Sequence, residues 1–123
     1  MKLSSAMYEG SVGLAHQTGG WFARNERGDL IGCSALGALC LGAYGDNVTR
    51  QLARTPGELL PMLYRMFPAL RGKELGLAFM EAFDPGITHR QPPFPDLAGA
   101  IAAQNEAGFS IEELIGQLQA LGL

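Results

Sequence analysis

Residues 33–45 read CSALGALCLGAYG, a run without a single charge that holds both cysteines of the chain. At helical spacing Cys33, Leu36, Gly37, Cys40, Leu41 and Tyr44 fall on one face, while Ala35, Leu39 and Ala43 cover the others. An element apolar on every side belongs in the middle of a bundle, because none of its faces gains by meeting water. Small residues such as Gly37 let neighbouring backbones come close. The stretch therefore predicts a mainly α fold: a compact single-domain helical bundle with a central helix over residues 33–44.

Upstream, Leu3, Ala6, Met7 and Gly10 keep helical spacing and predict a short first helix, followed by a glycine-rich loop. Two short apolar runs, 21–23 and 30–31, flank RNERGD, where Gly28 supplies the positive φ of a tight turn. One small β-hairpin near the N-terminus is expected there, with the helices as its backing. Downstream, Gly45 and Asp46 stop the central helix and cap another over 47–53, with Val48 and Leu52 facing inward.

TPGE at 55–58 is an N-terminal helix signature, but Pro61 conflicts with a long helix. Either the signature holds one turn only, or the helix restarts at Pro61 and runs to Phe67. A further helix is predicted over 73–83, then a proline-stiffened connection, then helices over 96–107 and 111–121. The last junction obeys several rules together. Gly108 ends one helix, Ser110 caps the next with Glu113 three residues on, and Phe109 and Leu114 are spaced for a hydrophobic staple.

A chain of 123 residues is expected to form a single domain over 1–123 and to bury a core without metal or disulfide staples. Its net charge of −3 argues against general polyanion binding. Five bases and one acid lie between 47 and 73, whereas seven acids and one base follow from 74 onward. Such asymmetry offers a partner surface around Arg50, Arg54 and Arg65. No run approaches the length of a membrane span, and no signal peptide is visible. Two cysteines without a Cys-x-x-Cys pair suit a reducing cytoplasm. On a continuous helix, residues 33 and 40 would sit about 10 Å apart, too far for a disulfide.

Catalysis has one candidate nucleophile. A cysteine at a helix start feels the positive end of the helix dipole, which favours the thiolate. GCSALGAL at 32–39 resembles the opening of the nucleophile helix in NlpC/P60-type cysteine peptidases, a likeness that implies a following sheet carrying a histidine base. The chain after Cys33 reads instead as helices. His89 falls in the proline-rich connection, and His16 precedes the cysteine. A metal centre is not expected, because no His or Cys pair has ligand spacing. No cofactor is expected either, since no glycine pattern follows a strand and opens a helix as a phosphate loop would. The final two helices have the outline of a helix-turn-helix, yet the second begins with Glu112 and Glu113 and carries no Lys or Arg, so specific nucleic-acid binding is not expected.

Three pieces in order resemble a loose group of small uncharacterised bacterial and phage proteins. They are the N-terminal helix leading into GGWFARNERG, the CSALGA run at 33–38, and IAAQNEAGFSIEELIGQL at 101–118, where Glu106 stands at a place usually held by Asp. The resemblance implies a mostly helical fold and a phage or mobile-element origin, and it implies no catalytic residue. Within it Asn105, just before the Gly108 stop, has an amide able to satisfy loose carbonyls or reach a neighbouring loop. The expectation is a small cytosolic interaction or regulatory protein that binds another protein, with self-association as a further reading. The alternative is a thiol-dependent hydrolase using Cys33, with His16 or His89 as base.

Overall fold

Glycine and alanine let two helices of this molecule approach closely. Helix α1 (Leu3–Ser11) lies along α2 (Ala35–Leu52), and two small-residue pairs face each other, Ala6 with Gly10 and Ala38 with Gly42. A Cβ added at Gly10 would sit 1.8 Å from the Ala38 carbonyl oxygen, and one at Gly42 would sit 1.9 Å from that of Ala6. The backbones therefore touch where any side chain would hold them apart. That contact explains why the uncharged run is rich in small residues. Helix α1 thereby covers α2 extensively.

The structure is a computed structural model that describes residues 1–52, 55–84 and 95–123. Its described part holds six α-helices and one three-stranded sheet, and the fold is mainly α. Buried side chains from α1, α2, α3 (Leu59–Met66), α4 (Lys73–Glu81), α5 (Leu97–Glu106) and α6 (Ile111–Ala120) form one core cluster. The central run lies deep inside it, with Ala35, Ala38, Leu39 and Cys40 at 0% exposure.

The sheet is larger than the expected hairpin. Strands β2 (Phe22–Arg24) and β3 (Leu30–Cys33) pair antiparallel around the Gly28 turn, where φ is 83°. A two-residue strand, β1 (Ala15–His16), adds in parallel on the other side of β3 and gives the order β1-β3-β2. Cys33 is therefore the last strand residue and not the first helical one. The break falls at Ser34, whose hydroxyl accepts from the Gly37 N–H and whose carbonyl accepts from the Ala38 N–H as α2 begins.

Gly45 interrupts α2 with φ 78° and ψ 164°, as its sequence position suggested. Beyond this kink Thr49 is buried and Val48 is 39% exposed, so Thr49 takes the inward place expected of Val48, while the side chain of Leu52 lies outside the described residues. Thr49 reaches that place by donating its hydroxyl to the Gly45 carbonyl. Asp46 does not act only locally: it accepts from Arg24 at 2.8 Å and pairs with Arg50 at 3.2 Å, tying the hairpin to the kink.

The TPGE signature holds one 3₁₀ turn, Pro56–Glu58, and α3 starts directly after it, leaving Pro61 in its first turn where no intrahelical N–H bond is lost. Asp96 caps α5 by accepting from the Gly99 N–H, and Ser110 and Glu113 form a reciprocal capping box on α6. Gly108 adopts φ 98° between the two helices. Phe109 packs against Phe83 with ring centroids 4.5 Å apart and planes tilted by 53°, a contact its expected role in a staple did not include.

Candidate functional site

Asn105 sits in the last turn of α5 at 3% exposure, and all its hydrogen-bonding capacity is directed at distant parts of the chain. Its Nδ2 donates to the carbonyls of Gln17 at 3.1 Å and Thr18 at 2.9 Å. Its Oδ1 accepts from the Ala35 N–H at 3.0 Å, the first residue of α2. The orientation of the amide follows from these partners, because backbone carbonyls only accept and a backbone N–H only donates. One side chain thus joins α5, the loop after β1 and the N-terminus of α2.

The same Oδ1 lies 2.6 Å from Nε2 of His16. Since Oδ1 can only accept, Nε2 carries the proton there. In the neutral ring Nδ1 is then the acceptor. His16 also stands opposite Cys33 in the β1–β3 register. Residues paired across a sheet point to the same face, and both line one cleft of about 500 Å³. The structure therefore brings together Cys33, His16 and Asn105, which sequence spacing kept far apart. His89 and Arg54, also expected as site residues, lie outside the described residues.

The thiol itself is in a quiet setting. Cys33 is 1% exposed, and burial pushes its pKa up to about 11. Desolvation disfavours the thiolate, opposite to the effect expected at a helix start. Both physical reasons are visible: Cys33 precedes the cap instead of opening the helix, and Ser34 and Asn105 already serve the first N–H groups of α2. Cys40 is buried deeper in the core, its pKa pushed up to about 12 by the same cause. Both cysteines are free thiols.

The cleft has apolar walls and an open mouth. Val12 and Leu14 come from the segment around the end of α1, and Ile111 and Ile115 from α6. Tyr8 and Val12 are each 62% exposed beside it. Ser110 and Glu112, at the start of α6, add polar groups to the lining. Sequence periodicity could place Tyr8 on an outer face of α1, but it could not reveal that α6 would form the opposite wall.

The expected basic surface is divided. Arg50 pairs with Asp46 and donates to the Gly28 carbonyl at 2.9 Å, so its guanidinium helps hold the hairpin. Arg65 is exposed on α3. Gly37, Gly108, Ser110 and Glu113 have structural duties. A Cβ at Gly37 would lie 2.1 Å from the Trp21 carbonyl oxygen, and the other three form the α5–α6 junction.

Among the described residues no group of three or more His, Cys, Asp or Glu is arranged to hold a metal ion. None of their helices is long and apolar enough to cross a membrane. Compared with known proteins, the chain matches no protein-family profile, no curated protein and no solved structure.

Proposed function

We propose that the chain is a small interaction protein without catalytic activity and that its partner binds in the cleft between α1 and α6. The observation that carries this reading is the exposure of Tyr8 and Val12, each 62%, beside a concave apolar surface. Small proteins leave single apolar residues at the surface routinely, but clustering around a cleft is the pattern of binding sites. Tyrosine is also enriched among residues that dominate interface energies. The surface expected around Arg50 has less in its favour, because Arg50 is already engaged within the fold.

A photo-crosslinking residue in place of Val12 tests the reading, with the same residue in place of Arg65 as the comparison. The proposal expects one discrete crosslinked partner from position 12 inside the producing cell and none from position 65. A discrete product only from position 65 would contradict the cleft assignment.

A second reading is supported by the His16–Asn105 contact. A histidine oriented by an amide, with its other nitrogen free to accept, matches the base-and-orienter half of a Cys-His-Asn arrangement. In a thiol-dependent hydrolase Nδ1 would take the Cys33 proton, and the thiolate would attack an acyl carbon and expel the leaving group. Water would then release the acyl group. Burial of Cys33 and its raised pKa weigh against this reading, which makes thiol reactivity the deciding measurement.

A further inference from the structure

The cleft continues along the α1–α6 seam. A smaller depression of about 190 Å³, lined by Ser4, Glu9 and Gln119 among others, shares Tyr8 and Ile115 with it. The two together form a groove along the nine residues of α1, roughly 13 Å long at 1.5 Å per residue. The two walls are joined in the structure: the Ser4 N–H donates to the Leu123 carbonyl and ties the chain after α6 to α1. Preformed walls reduce the ordering penalty of binding.

The charged groups along this groove are carboxylates, with His16 as a titratable group at the cleft end. Glu9 and Glu112 line it, and among the described residues no Lys or Arg does. The N-terminus of α6 is not a rival anion site: Ser110 and Glu113 occupy its cap in a reciprocal pair, and Glu112 and Glu113 place two carboxylates in its first turn. A groove with Val12, Leu14, Ile111 and Ile115 along the cleft and Glu9 and Glu112 at its sides favours apolar side chains flanked by cations and disfavours acidic ones.

We infer that the groove between α1 and α6 docks a short segment of a partner protein carrying apolar side chains flanked by Lys or Arg. The inference rests on the interaction reading above and adds the partner's chemistry. Tyr8, Val12 and Ile115 receive the apolar side chains, and Glu9 and Glu112 meet the cations. The segment is short because the groove is only as long as α1.

Three peptides with one leucine pattern and Lys, Gln or Glu at the remaining positions test this by amide chemical-shift titration of the intact protein. The Lys peptide is expected to give saturable shifts at Tyr8, Val12 and Ile115 and to bind at least about tenfold tighter than the Glu peptide. The double variant Glu9→Lys, Glu112→Lys should reverse that order, and its unchanged spectrum elsewhere would show that it is folded. Equal binding of all three peptides at the groove would overturn the inference about charge and leave the docking reading standing. Absence of saturable shifts at the groove with every peptide would overturn both.

Discussion

His16 Nε2 stands 2.6 Å from Asn105 Oδ1, across 89 positions of sequence, and that contact joins the smallest strand of the sheet to the end of α5. The Asn105 amide also holds two loop carbonyls and the first N–H of α2. Four partners on one buried side chain make it a fold-determining residue, because each group it abandons would lose its bond at a buried or part-buried site.

Asn105→Ala should therefore lower stability by about 2–4 kcal/mol, the sum expected when several such groups lose their partner. Thermal unfolding would show it as a fall of roughly 10 °C in midpoint. An unchanged midpoint would contradict the role. Asn105→Asp should be worse at neutral pH than in mild acid, because an ionised carboxylate cannot donate to the Gln17 and Thr18 carbonyls, whereas a protonated one can donate once.

The α1–α2 crossing predicts opposite signs for similar glycine substitutions. Gly10→Ala and Gly42→Ala drive a methyl into backbone and should each cost about 1–3 kcal/mol or more by denaturant unfolding. Gly116→Ala on α6 meets no atom within 4 Å and should stabilise by about 0.5–1 kcal/mol through helix propensity.

Local rules made much of this fold legible in the sequence. The Gly108 stop and the Ser110–Glu113 capping box depend on neighbours within a few positions, whereas TPGE left a single turn and a helix restarting at Pro61 both open. The central burial of 33–44 followed from the lack of any polar face. Cys33 was misplaced because the apolar strand end runs into an apolar helix without a break. The available signal was Ser34, a residue type that favours the cap position. Strand β1 gave no signal at all, since two residues carry no periodicity and a parallel pairing leaves no turn to recognise. The joining of His16, Cys33 and Asn105 and the α1–α6 groove arise from long-range packing, which spacing along the chain does not encode.

Asp46 predicts an acid-sensitive increment of stability. Its hydrogen bond from Arg24, with the charges of Arg24 and Arg50, holds its folded-state pKa below the ordinary value. That contribution is present above the unfolded carboxylate pKa and is lost as pH falls through the lowered folded value. The pair is about one-third exposed, so Asp46→Asn should cost no more than about 1 kcal/mol near neutrality. The difference from wild type should vanish in strong acid, as read by paired urea titrations. A penalty that persists there would mean that packing, not charge, is lost.

Reactivity of the native Cys33 thiol separates a binding cleft from a catalytic one most directly. Iodoacetamide labelling, followed by mass spectrometry across about pH 5 to 9, reads the thiolate at that residue. With Cys33 1% exposed and its pKa pushed up to about 11, the folded protein should remain unlabelled at Cys33 across this range. Labelling should appear only after denaturation. Rapid modification of native Cys33 near pH 6, abolished by His16→Ala in a folded variant, would contradict the account and establish an activated thiolate.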